Sequence, residues 1–355
     1  MITILYRYIV KTILLSTALV AVVVAGLIFF ITLLGELNDL GVGDYTMLQA
    51  MSYVLLRLPY ELYQFFPMLM LLGGMMGLGV LNSQRELIIM RASGFSIAQI
   101  ARAVLTAAMV LIVLITAIGE WVAPSSSYLA ATRKEAAKSG GQAVVTGSGV
   151  WIHEGNTFLH VDHIINRFRL EGVTGYQFNT ERRLQETYYA KSLDLQQGQW
   201  VLHDVVKTTL SSHRLYSQRA NQASLTIKLN PNVLTMGFIA PGEMSLVRLT
   251  KFVRYLVVNG LQAAPYQYQL WERVFQPLTS LVMILLAIPF VLSTRGSAVM
   301  GWRWIWGILI GFSFYILNAF LGQASVIFQL PPWFAALFPS LLFAGLSVFL
   351  LRLIR

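Results

Sequence analysis

Five histidines, His153, His160, His163, His203 and His213, are the first residues to test for chemistry, because all fall within one stretch of the chain. His160 and His163 are close, but three residues along a strand place side chains on opposite faces. No acid pattern completes a zinc set around them, so surface or packing histidines are the better reading and no metal site is expected. There is no cysteine, which excludes thiolate nucleophiles, thiol-ligated metals and disulfides. There is no Gly-Lys pair, so a phosphate-cradling G-x-x-x-x-G-K-[ST] loop cannot form. G-x-S-x-G and H-E-x-x-H are also absent. No catalytic residue is expected.

Carboxylates come next. Proton- and ion-coupled carriers keep ionisable acids near mid-membrane. The apolar stretches of this chain have none at their centres, and Glu120 and Glu272 stand only at stretch ends. Glu86 is different, because it sits in the short connector Asn82-Ser-Gln-Arg-Glu-Leu-Ile-Ile-Met-Arg-Ala-Ser-Gly-Phe-Ser96. Ser83 is placed to cap a short helix with Glu86 at its third position. Leu87, Ile88 and Met90 then form an apolar patch, and Gly94 supplies a C-terminal stop. Two readings stay open for residues 83–96: a tight connector lying on a membrane, or a coupling helix that fits a groove on a cytoplasmic motor.

The elements that hold these residues are dictated by lipid. Of 355 residues, 56% are apolar and 12% charged, about half the charge of a soluble domain. A hydrocarbon core of about 30 Å needs about 20 apolar residues in helix. Six stretches qualify: Ile13–Leu34, Tyr63–Leu81, Ala103–Val122, Val274–Leu292, Trp304–Gly322 and Phe334–Leu351. The first is too long and too free of charge for a signal peptide; the preceding Met1–Leu14, with Arg7 and Lys11, reads as an interfacial helix. Alternate loops on one side hold Arg7, Lys11, Arg85, Arg91, Arg102, Arg295, Arg303, Arg352 and Arg355 against Glu86. On the other side, the Gly35–Leu62 loop holds Glu36, Asp39, Asp44 and Glu61 against Arg57. The positive-inside rule therefore places both termini in the cytoplasm. The net charge of +10 is mainly topological, and nucleic-acid binding is not expected.

Between the third and fourth spans the helical pattern gives way to short runs rich in Val, Thr, Tyr, Phe and Trp. Val150–His153 and Thr157–Val161 flank a hairpin signal, as do Arg183–Leu195 and Gln199–Leu210, and Asn221–Leu229 is a further strand. Such runs without intervening helices predict an antiparallel sandwich or jelly roll, although their uneven alternation leaves the faces unassigned. Pro241–Gly260 reads as an amphipathic strut, with Met244, Leu246, Leu249, Phe252, Val253 and Leu256 opposite Arg248, Lys251 and Arg254. The expected fold is thus an α-helical membrane protein of six transmembrane helices with an inserted, external, jelly-roll-like β domain. Its expected divisions are 1–123 for the first three spans, 124–268 for the inserted domain and strut, and 269–355 for the last three spans.

Glu-Leu-Ile-Ile-Met-Arg-Ala-Ser-Gly resembles the E-L-x-x-M-x-A-S-G connector of the YjgP/YjgQ permeases, the LptF/LptG family of the lipopolysaccharide exporter. The resemblance runs the whole chain, through Phe65-Phe-Pro67, Gly119-Glu-Trp-Val-Ala-Pro124, Met244-Ser-Leu and Tyr268-Gln-Leu-Trp-Glu-Arg-Val-Phe-Gln-Pro277. The last of these and Gly119–Pro124 lean toward its LptG branch. The resemblance implies a Gram-negative inner-membrane transport subunit that pairs with an LptF-like permease over an LptB-like ATPase dimer. Lipopolysaccharide would enter from the outer leaflet and pass to an LptC-like periplasmic bridge protein. ATP and magnesium would be bound by the ATPase, and this chain would need no cofactor. Exposing one acyl chain to water costs about 10 kcal/mol at about 0.8 per CH₂, so the cargo needs a continuous apolar route.

The resemblance also implies site residues. Glu86 matches the family's coupling glutamate, and Arg91 is a weaker ATPase contact, since an arginine beside headgroups needs no other explanation. Phe30, Leu33, Phe65, Phe66, Tyr315 and Phe320 are candidates to line the lipid cavity, with ordinary packing as the competing reading. Arg133, Lys134 and Lys138 are candidates for cargo phosphates, with a solvated helix face as the alternative. In one place the chain departs from the family: Thr32, Glu36 and Asp39 stand where a basic residue is expected near the outer end of the first span. A function from another class, a membrane-anchored receptor that binds a periplasmic partner by strand addition, would make Glu86 dispensable.

Overall fold

The computed structural model describes residues 2–138, 150–225 except 155, 167, 180, 182, 197, 198, 212 and 213, then 240–292 and 300–353. Six of its helices are long and apolar enough to cross a membrane. They are α1 (Ile2–Glu36), α3 (Phe66–Ser83), α5 (Ile97–Ala117), α8 (Ala264–Leu292), α9 (Met300–Ile327) and α10 (Pro332–Leu353). A π-helical turn at Ile118–Val122 carries α5 directly into α6 (Ala123–Lys138). The helix bounds differ from the predicted spans by a few residues at most ends; α3 starts late because Pro67 sits in its first turn.

Two predicted features are corrected. The helix expected over Met1–Leu14 is not a separate element: from Ile2 onward α1 continues unbroken into the span, with no glycine or proline before Leu14 to interrupt it. Its 35 residues extend about 52 Å at 1.5 Å per residue, well beyond a hydrocarbon core. The Gly35–Leu62 segment is mainly helical rather than a loop: α2 (Met47–Gln64) starts at Thr46, whose amide donates to Gln49 Oε1 at 2.8 Å. Pro59 inside this helix and the charges of Arg57 and Glu61 hid it. α2 lies along α6, burying Ala50 and Val54, so α1, α2 and α6 form a helical stalk at the end of the bundle that leads to the β domain.

Glycines set how closely the spans approach. A Cβ on Gly73 would lie 2.6 Å from Thr17 Cα, and one on Gly77 would lie 3.1 Å from Ile13 Cα, so α1 and α3 meet backbone to backbone. Around that seam Ile13, Met70, Leu78, Met283, Ile284 and Leu286 are fully or almost fully buried.

Among the described residues the inserted domain has six strands: β1 (Val150–Glu154), β2 (Thr157–Asn166), β3 (Arg169–Phe178), β4 (Leu184–Gln196), β5 (Gln199–Ser211) and β6 (Arg214–Leu225). Each pairs antiparallel with the next, in sequential order. Both predicted hairpins are present, β3 is an addition, and the predicted strand at Asn221–Leu229 is the end of β6, with residues 226–229 outside the described ones. The described strands form a single up-and-down sheet; no second layer or long crossing connection of a jelly roll occurs among the described residues.

The sheet explains its own irregular sequence. Leu170 and Val173, Ala190 and Leu193, and Leu202 and Val205 are all buried in one core, although residues three apart on a flat strand face opposite ways. Across β2 to β6 the ladder partners lapse along one line, at Asp162, Gly172, Lys191, Asp204 and Asn221. Gly172 (φ 65°) and Asp204 (φ 52°) have left-handed backbones there. A line of unpaired residues therefore crosses the sheet without a change of register, and the burial alternation resets there, so both limbs bury the same face.

Return to the membrane runs through a 3₁₀ turn (Pro241–Glu243) and the strut α7 (Leu246–Val258). Met244, Leu249, Phe252 and Leu256 are buried and Arg248, Lys251 and Arg254 exposed, as the amphipathic pattern predicts; Leu246 is exposed instead of joining the apolar face.

Candidate functional site

At the bundle end away from the β domain, α4 (Glu86–Ala92) follows α3 through Arg85, whose backbone is left-handed at φ 63°. The predicted capping box is not formed. Ser83 is the last residue of α3 and its Oγ donates to Val80 O at 2.9 Å, leaving Arg85 as N-cap with no side-chain cap. Gly94 does stop the helix: its φ is 90°, its amide donates to Arg91 O at 3.0 Å, and Phe95 N donates to Met90 O at 2.9 Å. The predicted patch divides. Leu87, Met90 and Phe95 are buried against the bundle, whereas Ile88 and Ile89 are 59% and 62% exposed. Tyr8 Oη donates to Glu86 Oε1 at 3.2 Å, while Glu86 Oε2 is buried with no partner. Arg91 is exposed. The helix is therefore anchored by three side chains and offers an apolar pair outward.

At the other end, the candidate phosphate contacts meet the acids of the departure. Lys134 Nζ lies 2.6 Å from Glu36 and 2.9 Å from Asp39, and Lys138 Nζ lies 2.8 Å from Asp39. Tyr45 Oη donates to Glu36 at 2.8 Å, and Lys134 also sits 4.7 Å above the Tyr53 ring. These contacts tie the end of α1 to α6. Arg133 is exposed and has no ion pair among the described residues. The candidate lipid-cavity residues do not form one cluster. Phe65 stacks on Tyr315 at 5.1 Å, Phe66 is buried in the main core, Leu33 packs near Tyr45, and Phe30 and Phe320 are exposed on the outside of the bundle.

Sequence reasoning missed a polar junction where α2, the π turn, the strut and α8 converge. Arg273 is buried on α8; its guanidinium donates to Gly119 O at 3.3 Å and Gly242 O at 2.9 Å, and stands 4.9 Å from the Tyr63 ring centre. Glu120 lies 3.9 Å from Arg273 and accepts from the amides of Leu246 (2.8 Å) and Val247 (3.4 Å), so it caps the strut. Arg57 bridges Glu61 (3.4 Å) and Glu243 (3.1 Å) alongside. Burial raises the Glu61 and Glu243 carboxyls, opposed in each by Arg57, and pushes Tyr63 up to about 12. Beside this junction opens a cavity of about 560 Å³, bounded by α2, α3, α8, α9 and the 3₁₀ turn.

The family described as lipopolysaccharide export system permease LptF/LptG matches residues 7–353. The chain belongs to the LptF/LptG family. It is 35% identical over 351 residues to the lipopolysaccharide export system permease protein LptG of Escherichia coli strain K12, covering 97% of each chain. It is 32% identical over 345 residues to the protein of that name from Haemophilus influenzae, covering 97% of this chain and 96% of the relative. The LptG branch suggested by Gly119–Pro124 and Tyr268–Pro277 is thus the one matched. In this LptF/LptG member those two segments meet in space, through Glu120 and Arg273. The signal for the junction was an adjacent Glu-Arg pair at the border of an apolar run.

Two histidines of the β domain have described side chains, His160 and His203; each lies beside an aspartate, at 3.2 Å from Asp162 and 3.4 Å from Asp194. The side chains of His153, His163 and His213 lie outside the described residues. Among the described residues no group of three or more His, Cys, Asp or Glu converges as metal ligands.

Proposed function

We propose that this chain is a permease subunit of an ATP-driven lipopolysaccharide exporter in a bacterial inner membrane. It takes lipopolysaccharide from the outer leaflet and passes it to a periplasmic bridge. The observation that carries the reading is likeness to LptG over almost the whole chain, loops and β domain included. Both termini and α4 lie in the cytoplasm on this reading, supported by the arginines of the connectors; the β domain is periplasmic. The chain is a transport subunit and not an enzyme, needs no cofactor, and pairs with an LptF-like permease over an LptB-like ATPase dimer that holds ATP and magnesium.

The geometry of α4 supports its role as the coupling element. A seven-residue helix has too few turns to stand alone, but Leu87, Met90 and Phe95 pin it, and exposed Ile88 and Ile89 suit an apolar groove. Glu86 stands at its start with one oxygen lacking a donor, a state that buried carboxylates rarely keep. At the far end β1 and β6 are the free edges of the described sheet, and an LptC-like partner can dock by adding a strand there.

Gentle purification of the tagged chain tests this directly. A second six-span permease and a small ATPase in about 1:1:2 proportion are expected, and a chain recovered alone refutes the reading. Glu86→Ala should leave the chain inserted but uncouple or release the ATPase. Photo-crosslinkers along β2 to β5 should capture lipopolysaccharide only with ATP; equal capture without it would make the sheet a passive binding site.

A further inference from the structure

The polar cavity beside the Arg273 junction lies apart from α4, and its chemistry is specific. Its wall includes Tyr60, Tyr63, Tyr268 and Tyr315 together with Glu272 and Asn318. Asn318 Nδ2 donates to Glu272, Gln269 is a second hydrogen-bond partner, and Tyr268 Oη donates to Asn318 O at 2.8 Å. The carboxylate is thereby held in place by neutral groups. Its chain neighbour Arg273 points into the Glu120 junction, and no ion pair to Glu272 occurs among the described residues.

The surrounding balance is negative. Glu61 and Glu243 share the guanidinium of Arg57, while among the described residues Arg273 is the one cation paired with Glu120 and acting on Glu272. Among the described residues four carboxylates thus face two arginines. Such an imbalance favours a cationic guest. A hard divalent ion would require several converging oxygen ligands, including carboxylates, and no such group converges among the described residues. An organic ammonium group fits better, because a carboxylate set among aromatic rings is the arrangement that recognises it. Tyr63 and Tyr315 each give one face to Arg273 and Phe65, which fixes the rings that line the space.

The cavity volume falls in the roughly 300–1,000 Å³ range of small-molecule sites. Its wall also has an apolar part: Pro67, Phe314 and Ala336 continue it toward the interior of the spans. A polar end with a carboxylate and an apolar continuation match an amphiphile. We propose that this cavity binds the primary ammonium group of an amphiphile, with Glu272 as counter-ion and the tyrosines as walls. The ammonium belongs either to a bilayer lipid such as phosphatidylethanolamine or to an amine substituent on a glycolipid, and the chemistry at Glu272 is the same. The assignment stands apart from the export reading, since it requires only the chain and a bilayer.

The test uses the full chain with its companions in nanodiscs of mixed phosphatidylethanolamine and phosphatidylglycerol, delipidated in steps and followed by native mass spectrometry. The last-retained lipid should be enriched in phosphatidylethanolamine by at least about tenfold, the scale of one charge-assisted hydrogen bond. Glu272→Gln, which keeps shape and the Asn318 contact, should abolish the enrichment with little change in thermal midpoint. If that variant does not insert, Tyr315→Leu removes one wall and should lower the enrichment severalfold. Equal retention of both lipids by the wild type, or undiminished enrichment in the variant that inserts, would overturn the proposal. Displacement of the bound lipid by an amine-substituted lipopolysaccharide, but not by an unsubstituted one, would assign the site to cargo; no displacement by either would assign it to the bilayer lipid.

Discussion

Glu120→Ala is the most informative change at the junction. In the wild type its carboxylate accepts the amides of Leu246 and Val247, and Ser245 Oγ accepts that of Arg248, so the first three amides of the strut are all satisfied. Loss of an N-terminal cap costs about 1 kcal/mol. The carboxylate is 25% exposed and also faces buried Arg273. Hydrogen bonds to charged groups contribute about 1.5–3 kcal/mol, but Arg273 retains Gly119 O, Gly242 O and the Tyr63 ring. The net expectation is local destabilisation of about 2 kcal/mol. That corresponds to roughly 30-fold faster hydrogen exchange at Leu246 and Val247, with amides of α3 unaffected. Glu120→Gln keeps an acceptor and should lose about half as much. In a reconstituted exporter the Ala variant should hydrolyse ATP while moving less lipid, because the strut is no longer fixed to the third span. Unchanged exchange at Leu246 and Val247 would refute the capping argument, whatever happened to transport.

Three further changes test other contacts. Burial holds Glu61 and Glu243 above their ordinary value of 4.5, so the folded state takes up protons more readily than the unfolded one. Their contribution is full below that value and fades as pH rises through the folded values; replacing Glu243 with Gln should flatten the fall in thermal midpoint between weakly acidic and neutral pH, and an unaltered slope would show that the site does not titrate there. Gly73→Ala forces a Cβ to within 2.6 Å of Thr17 Cα, so α1 and α3 must separate at a cost of about 1–3 kcal/mol, seen as a lower thermal midpoint in detergent. Glu36→Ala leaves the Tyr45 hydroxyl without its acceptor and Lys134 with Asp39 alone; a loss of about 2 kcal/mol is expected, and crosslinks between cysteines placed at the ends of α1 and α6 should weaken in parallel.

The spans were legible because lipid imposes a simple rule, a long run free of charge and mostly apolar, which the residues from Ile13 to Leu34 obey. The β hairpins were legible from their turns. What escaped were features decided by contacts distant in sequence. α2 carries Arg57, Glu61 and an internal Pro59, yet it folds because α6 covers Ala50 and Val54. The capping box failed because Ser83 is drawn into α3 and the turn is made by a left-handed Arg85, a backbone state that residue type does not announce. The irregular alternation in the β domain reflected a real bend, marked by Gly172 and Asp204, and not weak strands. Arg273 escaped because it stands next to Glu272 at a span border, where an acid and a base read as an exposed pair; only the fold shows that it is turned inward.

The acids at the end of α1 connect these points. Glu36 and Asp39 stand where a base was expected, and the fold uses them to hold Lys134 and Lys138 of α6. A lysine that lies between two carboxylates and above a tyrosine ring has little capacity left for a phosphate. Under the export reading, the phosphate contacts of this chain therefore narrow to Arg133, which is exposed on the same helix, and the remaining positive charge must come from the companion permease. What one subunit loses as an anion site it gains as a fixed stalk. That stalk and the Glu120 junction place contacts on both the first and third spans; under the export reading, a push received at α4 would reach the β domain through packed helices instead of being absorbed by loose loops.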